Sequence, residues 1–447
     1  MICHDAGRSK TERTSARLRY GKLLVMMATP DASPRAPRLP PACFALFLAV
    51  FFCAFAQISM GLVPFEFGPG FEVTNVARHL AVSGELSDPF SIPTGSTAHV
   101  APVYTAVMAL VFKIFGYTYS AALVMAVFNA ALLATVSALL PVLSQRVFAH
   151  PAPGIAGGIL LILAGKLNPT SEAAFSAVLL LSTTLILMSR GKLASGFSAA
   201  ASILTTPVSV LPVVVIGMHR GRRWFAGTGA LALILCIPWI ARNYLVLGAP
   251  YFIRDNFGLE LFLSNQDRAA PEMAANYAIR FHPTGNPDEA AQVAALGEGP
   301  YNGAKLRMAL GWIRSHPWSF VSLSAARVFR YWFPSRDWVA YGYWLINLLA
   351  IVGVWLARRN STALLLVRAA VFYSLPYAVI QASPKYGYPM LWVSALLAGY
   401  AIRTILSGLG VSATTGRDLA HEGASIADRP LRMTAIARPD RTKYAPA

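Results

Sequence analysis

The chain has 447 residues, 55% of them hydrophobic and 13% charged, with a mean hydropathy of +0.51. Soluble domains carry about a quarter charged residues. This composition, with apolar runs that approach the ~20 residues needed to cross a bilayer, excludes an ordinary soluble domain and predicts an all-α polytopic membrane protein. The formal net charge of +18 implies no nucleic-acid partner, because the basic residues sit in tails and short loops, where the positive-inside rule places them. Four cysteines form no CxxC or Cys/His pattern, so no zinc site or disulfide framework is read.

In chain order, residues 1–41 are basic and Pro-rich and are expected to form a disordered cytoplasmic tail, with Met26 and Met27 as alternative starts. No signal-peptide cleavage pattern follows, and a first span is predicted at 42–63. The next stretch, 64–118, is expected to be an outer loop. Within it, 101-APVYTAVMALVFKIFG-116 is apolar for 16 residues, ~24 Å of helix against a ~30 Å hydrocarbon core. Laying it flat on the outer surface also puts Arg190 and Lys192 on the inside. An interfacial helix is therefore predicted, with Lys113 snorkelling to water.

The remaining spans are predicted at 119–143, 152–165, 172–189, 193–206, 207–219, 226–247, 338–357, 363–382 and 388–407. About ten spans result, with both termini cytoplasmic. Spans 193–206 and 207–219 are short and meet at 205-TTPVSVLP-212, which predicts a broken or re-entrant pair. The organisation expected is an N-terminal transmembrane module (42–247), an outer segment of short helices (248–336), C-terminal transmembrane helices (337–407) and a disordered tail (408–447). His316-Pro317 is expected to split 302–333 into two amphipathic helices. Apart from Glu172 at the edge of one, no acidic residue falls inside a predicted span, and most lie in outer segments, so the chemistry is expected to face outward.

Four stretches could carry that chemistry. Glu72, Asn75 and His79 fall on one helix face, where a carboxylate could deprotonate a hydroxyl; a solvated interfacial helix has the same pattern. His99, at a loop–helix junction, suits anion or hydroxyl binding or simple capping. In 381-QASPKYGYPM-390, Lys385 between Tyr386 and Tyr388 suits either a lipid-phosphate clamp or an interfacial anchor. Arg242 and Arg254, in 238-PWIARNYLVLGAPYFIRDNFGLEL-261, suit phosphate recognition or packing.

FEVTNVARHLAVSGELSDPF, TAHVAPVYTAVMALVFKIFG, PWIARNY…IRDNFGLEL and SPKYGYP occur in this order. Together they resemble the GT-C superfamily of membrane glycosyltransferases, above all the bacterial relatives of protein O-mannosyltransferases and of the lipid A aminoarabinose transferase. The likeness covers most of 42–407. It implies juxtamembrane helices in the first outer loop and a polyprenyl-phosphate sugar donor. The implied acceptor is an unidentified lipid, glycan or protein at the outer face of a bacterial inner membrane. The family usually has an Asp-Glu pair where Pro69 and Gly70 stand here, so Glu72 becomes the expected catalytic base, with Glu66 as the alternative. Lys385-Tyr386 stands where the family commonly has Arg-Tyr. Lys385, Arg242, Arg254, Tyr386 and Tyr388 are then expected at the lipid phosphate, and Asn75, His79 and His99 at the sugar or acceptor. No firm cofactor or metal site follows, and a divalent cation stays open, since one carboxylate is a thin ligand set. The absence of strand–helix alternation and of a DxD motif fits a lipid-linked donor. Two other classes stay open: a lipid or solute transporter, and a non-catalytic GT-C-like scaffold. A transporter needs polar groups midway through several spans, and only Arg368 and Asn129 offer themselves.

Overall fold

A computed structural model describes residues 41–60, 72–164, 171–189, 191–335 and 338–409. The predicted tails, Glu66, Pro69, Gly70 and Arg190 lie outside the described residues. Within them the chain is helical, with two isolated β-bridges and no strand.

Seventeen α-helices follow in order. They are α1 (Pro41–Ser59), α2 (Glu72–Ser83), α3 (Pro102–Phe115), α4 (Tyr119–Phe148), α5 (Ala152–Ala164) and α6 (Ala173–Leu187). Next come α7 (Lys192–Thr205), α8 (Val210–His219), α9 (Arg222–Leu247), α10 (Phe257–Ser264), α11 (Met273–Ala278) and α12 (Pro287–Leu296). The chain ends with α13 (Glu298–Ser315), α14 (Pro317–Trp332), α15 (Trp338–Leu356), α16 (Ser361–Val379) and α17 (Pro384–Gly408). Five of them, α1, α4, α9, α16 and α17, are long and apolar enough to cross a membrane. Shorter apolar helices include α3, α5, α6 and Ala340–Leu356 within α15. At 13 residues, α5 reaches only ~20 Å. The apolar helices mark a membrane-embedded protein.

The short helices are held by close packing. A Cβ on Gly157 of α5 would lie 2.4 Å from the Ala395 carbonyl oxygen, and one on Gly399 of α17 would lie 2.0 Å from that of Pro153. Only glycine lets these backbones touch. Such small-residue contacts drive helix association where lipid tails remove the usual hydrophobic gain. The break predicted near 205–212 is present: a 3₁₀ turn, Pro207–Ser209, separates α7 from α8.

α2 and α3 pack as a pair on the start of α4 through Ala77, Tyr104, Met108, Phe112 and Met125. Pro102 opens α3 and Gly116, at φ 69°, closes it. Its other face leaves Leu110, Ile114 and Phe115 exposed. His316 separates α13 from α14, at the predicted division. Phe90, from the loop after α2, is buried among Leu259, Leu263, Val293 and Tyr301, so this loop and the α10–α13 segment share one core. Arg327 of α14 is wholly buried and donates to Asn265 Oδ1 and to the carbonyls of Ser264 and Val379, tying α14 to α10 and α16. By contrast Arg368 is exposed on α16, and Asn129 is spent on the Tyr104 hydroxyl and the Met125 carbonyl.

Candidate active site

Between the α2–α3 loop, the α10–α11 segment and the start of α17 lie two joined cavities. One is a polar chamber of about 100 Å³ lined by Glu72, His99, Tyr104, Glu172, Arg254, Glu260, Tyr277, Lys385 and Tyr386. The other is a cleft of about 230 Å³ among the helices, lined mainly by Val208, Phe252, Phe257, Tyr373, Pro376, Tyr377, Ile380 and Pro389. Ser171, Glu172, Arg254, Glu260, Lys385 and Tyr386 line both. A mostly apolar cavity with a few convergent polar groups is the usual form of a ligand site.

Glu72 is the first residue of α2. Its Oε1 accepts a 2.7 Å hydrogen bond from the Thr284 hydroxyl and lies 3.7 Å from His282 Nε2. Burial alone would raise its pKa, but the pull of His282 and the Thr284 bond outweigh that, and the carboxyl is held below its ordinary value. Glu72 is therefore ionised at neutral pH.

His99 is placed by loop chemistry. Asp88 Oδ1 accepts from the Thr94 and Gly95 amides, both at 2.8 Å, and Gly95 takes the φ of 84° that the turn demands. The His99 amide donates to Thr97 Oγ1 at 2.8 Å, and its carbonyl accepts from Arg254 Nε at 2.7 Å. The ring is buried against Phe90 and His282. Burial pushes its pKa down to about 3, so the imidazole is neutral.

The late turn is pinned from two sides. The Ala382 amide donates to the Pro271 carbonyl, and its carbonyl accepts from the Met273 amide. Gln381 Nε2 donates to Glu260 Oε2 at 2.8 Å, and its own carbonyl accepts from Asn276 at 3.2 Å. Lys385 follows, with Nζ 5.0 Å from the centre of the Tyr386 ring, which stacks on Tyr377 at 4.7 Å.

The structure thus gathers Glu72, His99, Arg254, Lys385 and Tyr386 around one space. Four other expected site residues are placed elsewhere. Asn75 shares the helix face with Glu72, but its amide donates to the Pro89 carbonyl at 2.9 Å. His79 is half-exposed and pairs with Asp88 Oδ2 at 3.4 Å. Arg242 donates to the carbonyls of Thr97 and Leu86, at 2.6 and 3.1 Å, and holds the loop. Tyr388 is buried and lines a separate small cavity beside Val50, Ala54 and Leu161. Turns along α2 and α17 carry Asn75, His79 and Tyr388 away from the cavity that takes Glu72 and Lys385.

Sequence reasoning missed His282, Thr284 and Tyr277 altogether, and treated Glu172 and Glu260 only as outer charges. No spacing rule links residue 282 to residue 72. The excess of acids outside the spans was the one usable signal for Glu172 and Glu260.

Ligand atoms of Glu72, His99 and His282 lie within 4.8 Å of one another, which invites a metal ion. The hydrogen bonds argue against one in this arrangement. His282 Nδ1 accepts from the Thr284 amide at 3.1 Å, so a ring proton sits on Nε2, the atom that faces Glu72. A protonated nitrogen cannot ligate a cation, whereas it does stabilise the Glu72 carboxylate. No family model matches the chain, and no curated protein matches it.

Proposed function

We propose that this protein is an integral-membrane glycosyltransferase that moves a sugar from a polyprenyl-phosphate donor to a hydroxyl acceptor on the outer face of the membrane. One observation carries the reading: an ionised, partly buried carboxylate and two cations, Arg254 and Lys385, face one polar chamber that opens into an apolar cleft. The chamber suits a sugar and its phosphate, and the cleft suits the first prenyl units of the lipid. The predicted ten spans, with cytoplasmic termini, belong to the same reading.

In the step proposed, Glu72 accepts the proton of the acceptor hydroxyl as that oxygen attacks the anomeric carbon. The bond from the anomeric carbon to the phosphate oxygen breaks, and the lipid phosphate leaves with its electron pair. Lys385 and Arg254 stabilise that charge. His282 Nε2–H faces Glu72 and holds its lone pairs ready, while Gln381 fixes Glu260 at the border of the two cavities.

Purified protein in vesicles with a radiolabelled polyprenyl-phosphate sugar and membrane-derived acceptors tests this. Covalent transfer of label to an acceptor is expected. Movement of the sugar-lipid between leaflets without transfer would make the protein a transporter, and neither outcome would leave a scaffold.

A further inference from the structure

His99 also belongs to a second cluster, which glycosyl transfer does not use. Ligand atoms of His99, Asp255 and Glu298 lie within 4.8 Å of one another. The three residues are only 2%, 5% and 5% exposed. His99 Nδ1 is 3.9 Å from Glu298 Oε1, too far for a hydrogen bond. His99 Nδ1, Glu298 Oε1 and both oxygens of Asp255 have no hydrogen-bond partner. Four buried polar atoms without a hydrogen-bond partner therefore belong to one cluster.

Unpartnered buried polar atoms of this kind are costly. The nearest cations do not relieve them. Arg242 gives its bonds to the carbonyls of Thr97 and Leu86 and to Asn243 Oδ1, and Arg254 Nε is bonded to the His99 carbonyl. Burial raises the pKa of both carboxyls, and the contact with Asp255 raises that of Glu298 further. His99 cannot supply the missing charge, since burial keeps its ring neutral. A neutral imidazole with its Nδ1 unpartnered, beside two carboxyl groups, is a donor set of the type that holds first-row divalent ions once its protons are released.

We propose that His99 Nδ1, Asp255 and Glu298 bind a divalent transition-metal cation of the Mn²⁺ or Zn²⁺ type, in a buried site next to the polar chamber. The ligands come from three separate parts of the chain: the α2–α3 loop, the α9–α10 connection and the first residue of α13. The ion would staple the loop to the α10–α13 segment, next to the Asp255 amide bond to the Ala98 carbonyl. It would also fix the face that His99 turns to the chamber. Its role is positional, and the proposal stands whether or not the chamber transfers sugars.

The test uses full-length protein expressed with added Mn²⁺ and purified in metal-free detergent buffer. Elemental analysis is expected to find about one Mn²⁺ or Zn²⁺ per chain, and pulsed EPR of the Mn²⁺ form is expected to show one imidazole nitrogen. Asp255→Asn and Glu298→Gln should lose the ion, while Glu72→Gln and His282→Ala keep it. Metal-free wild-type protein would overturn the proposal and favour a proton shared between Asp255 and Glu298. Retention of the ion in Glu298→Gln, its loss in Glu72→Gln, or two imidazole nitrogens in the wild type would also overturn it and move the ion to the chamber. The EPR result is read on wild-type protein, so it decides the question even where a variant fails to fold.

Discussion

The polar chamber and the apolar cleft share a border of Arg254, Glu260, Lys385 and Tyr386, yet they are built by different means. Side-chain-to-backbone hydrogen bonds from Asp88, Arg242, Arg254 and Asn75 shape the chamber by setting the course of one loop. The cleft is set by helix packing, with the Tyr377 ring against those of Tyr373 and Tyr386 where α16 meets α17. A loop held by discrete hydrogen bonds can place a carboxylate and an imidazole to within a fraction of an ångström, as catalysis demands. A wall of helices and rings provides shape and apolar area instead, as a lipid chain demands. Under the proposed function, chemistry belongs to one half and donor retention to the other, and each assignment can be broken.

The largest expected effect is in the chamber. Glu72→Gln removes the proposed base and should lower transfer ~100- to 10,000-fold, with donor binding preserved; wild-type-like turnover would remove Glu72 from that role. The same assignment fixes the pH profile. Because Glu72 titrates below its ordinary value, lowering the pH protonates it only beneath the usual carboxylate range near ~4.3. Transfer should therefore hold through mildly acid pH before falling, and a fall centred near neutrality would point to another base.

At the border, Lys385→Ala should weaken donor binding ~10- to 100-fold, the worth of a charge-assisted contact. Lys385→Arg should recover most of it. Equal losses in both variants would mean that Lys385 anchors the turn and not a phosphate.

For the cleft, Gly399→Val should destabilise the protein by ~1–3 kcal/mol through overpacking, read as a lowered melting temperature. The displaced α17 would carry Lys385 with it, so donor affinity should fall along with stability. Unchanged donor binding would uncouple the helix wall from the border. The smallest effects are expected where the structure moves residues out of the site. His79→Ala and Tyr388→Phe should each change transfer by no more than about twofold, and a larger loss would return that residue to the site.

Much of the helical framework was legible in the order of residues. Apolar runs marked α1, α4, α9, α16 and α17, and prolines marked the α7–α8 break and the α13–α14 division. These are local properties, set by the 1.5 Å rise of a helix and by the backbone chemistry of proline. The site was only half legible. Glu72 and Lys385 stood out because charge at the edge of an apolar run is rare. Asn75, His79, Arg242 and Tyr388 stood out as polar neighbours in the same stretches, and nothing in their spacing showed that they would be spent on loop carbonyls, on Asp88 or on the core.

The sequence by itself therefore determined the helical class, the membrane character and the polar stretches from which a site could be drawn, since composition and periodicity act over a few turns. Only the tertiary structure decided which charges meet. Thr284 and His282 reach Glu72 from more than 200 positions away. Glu298 and Asp255 close on His99 from two further segments. Such meetings follow from how loops and helices stack, and pairing across that distance leaves no periodic trace in the chain.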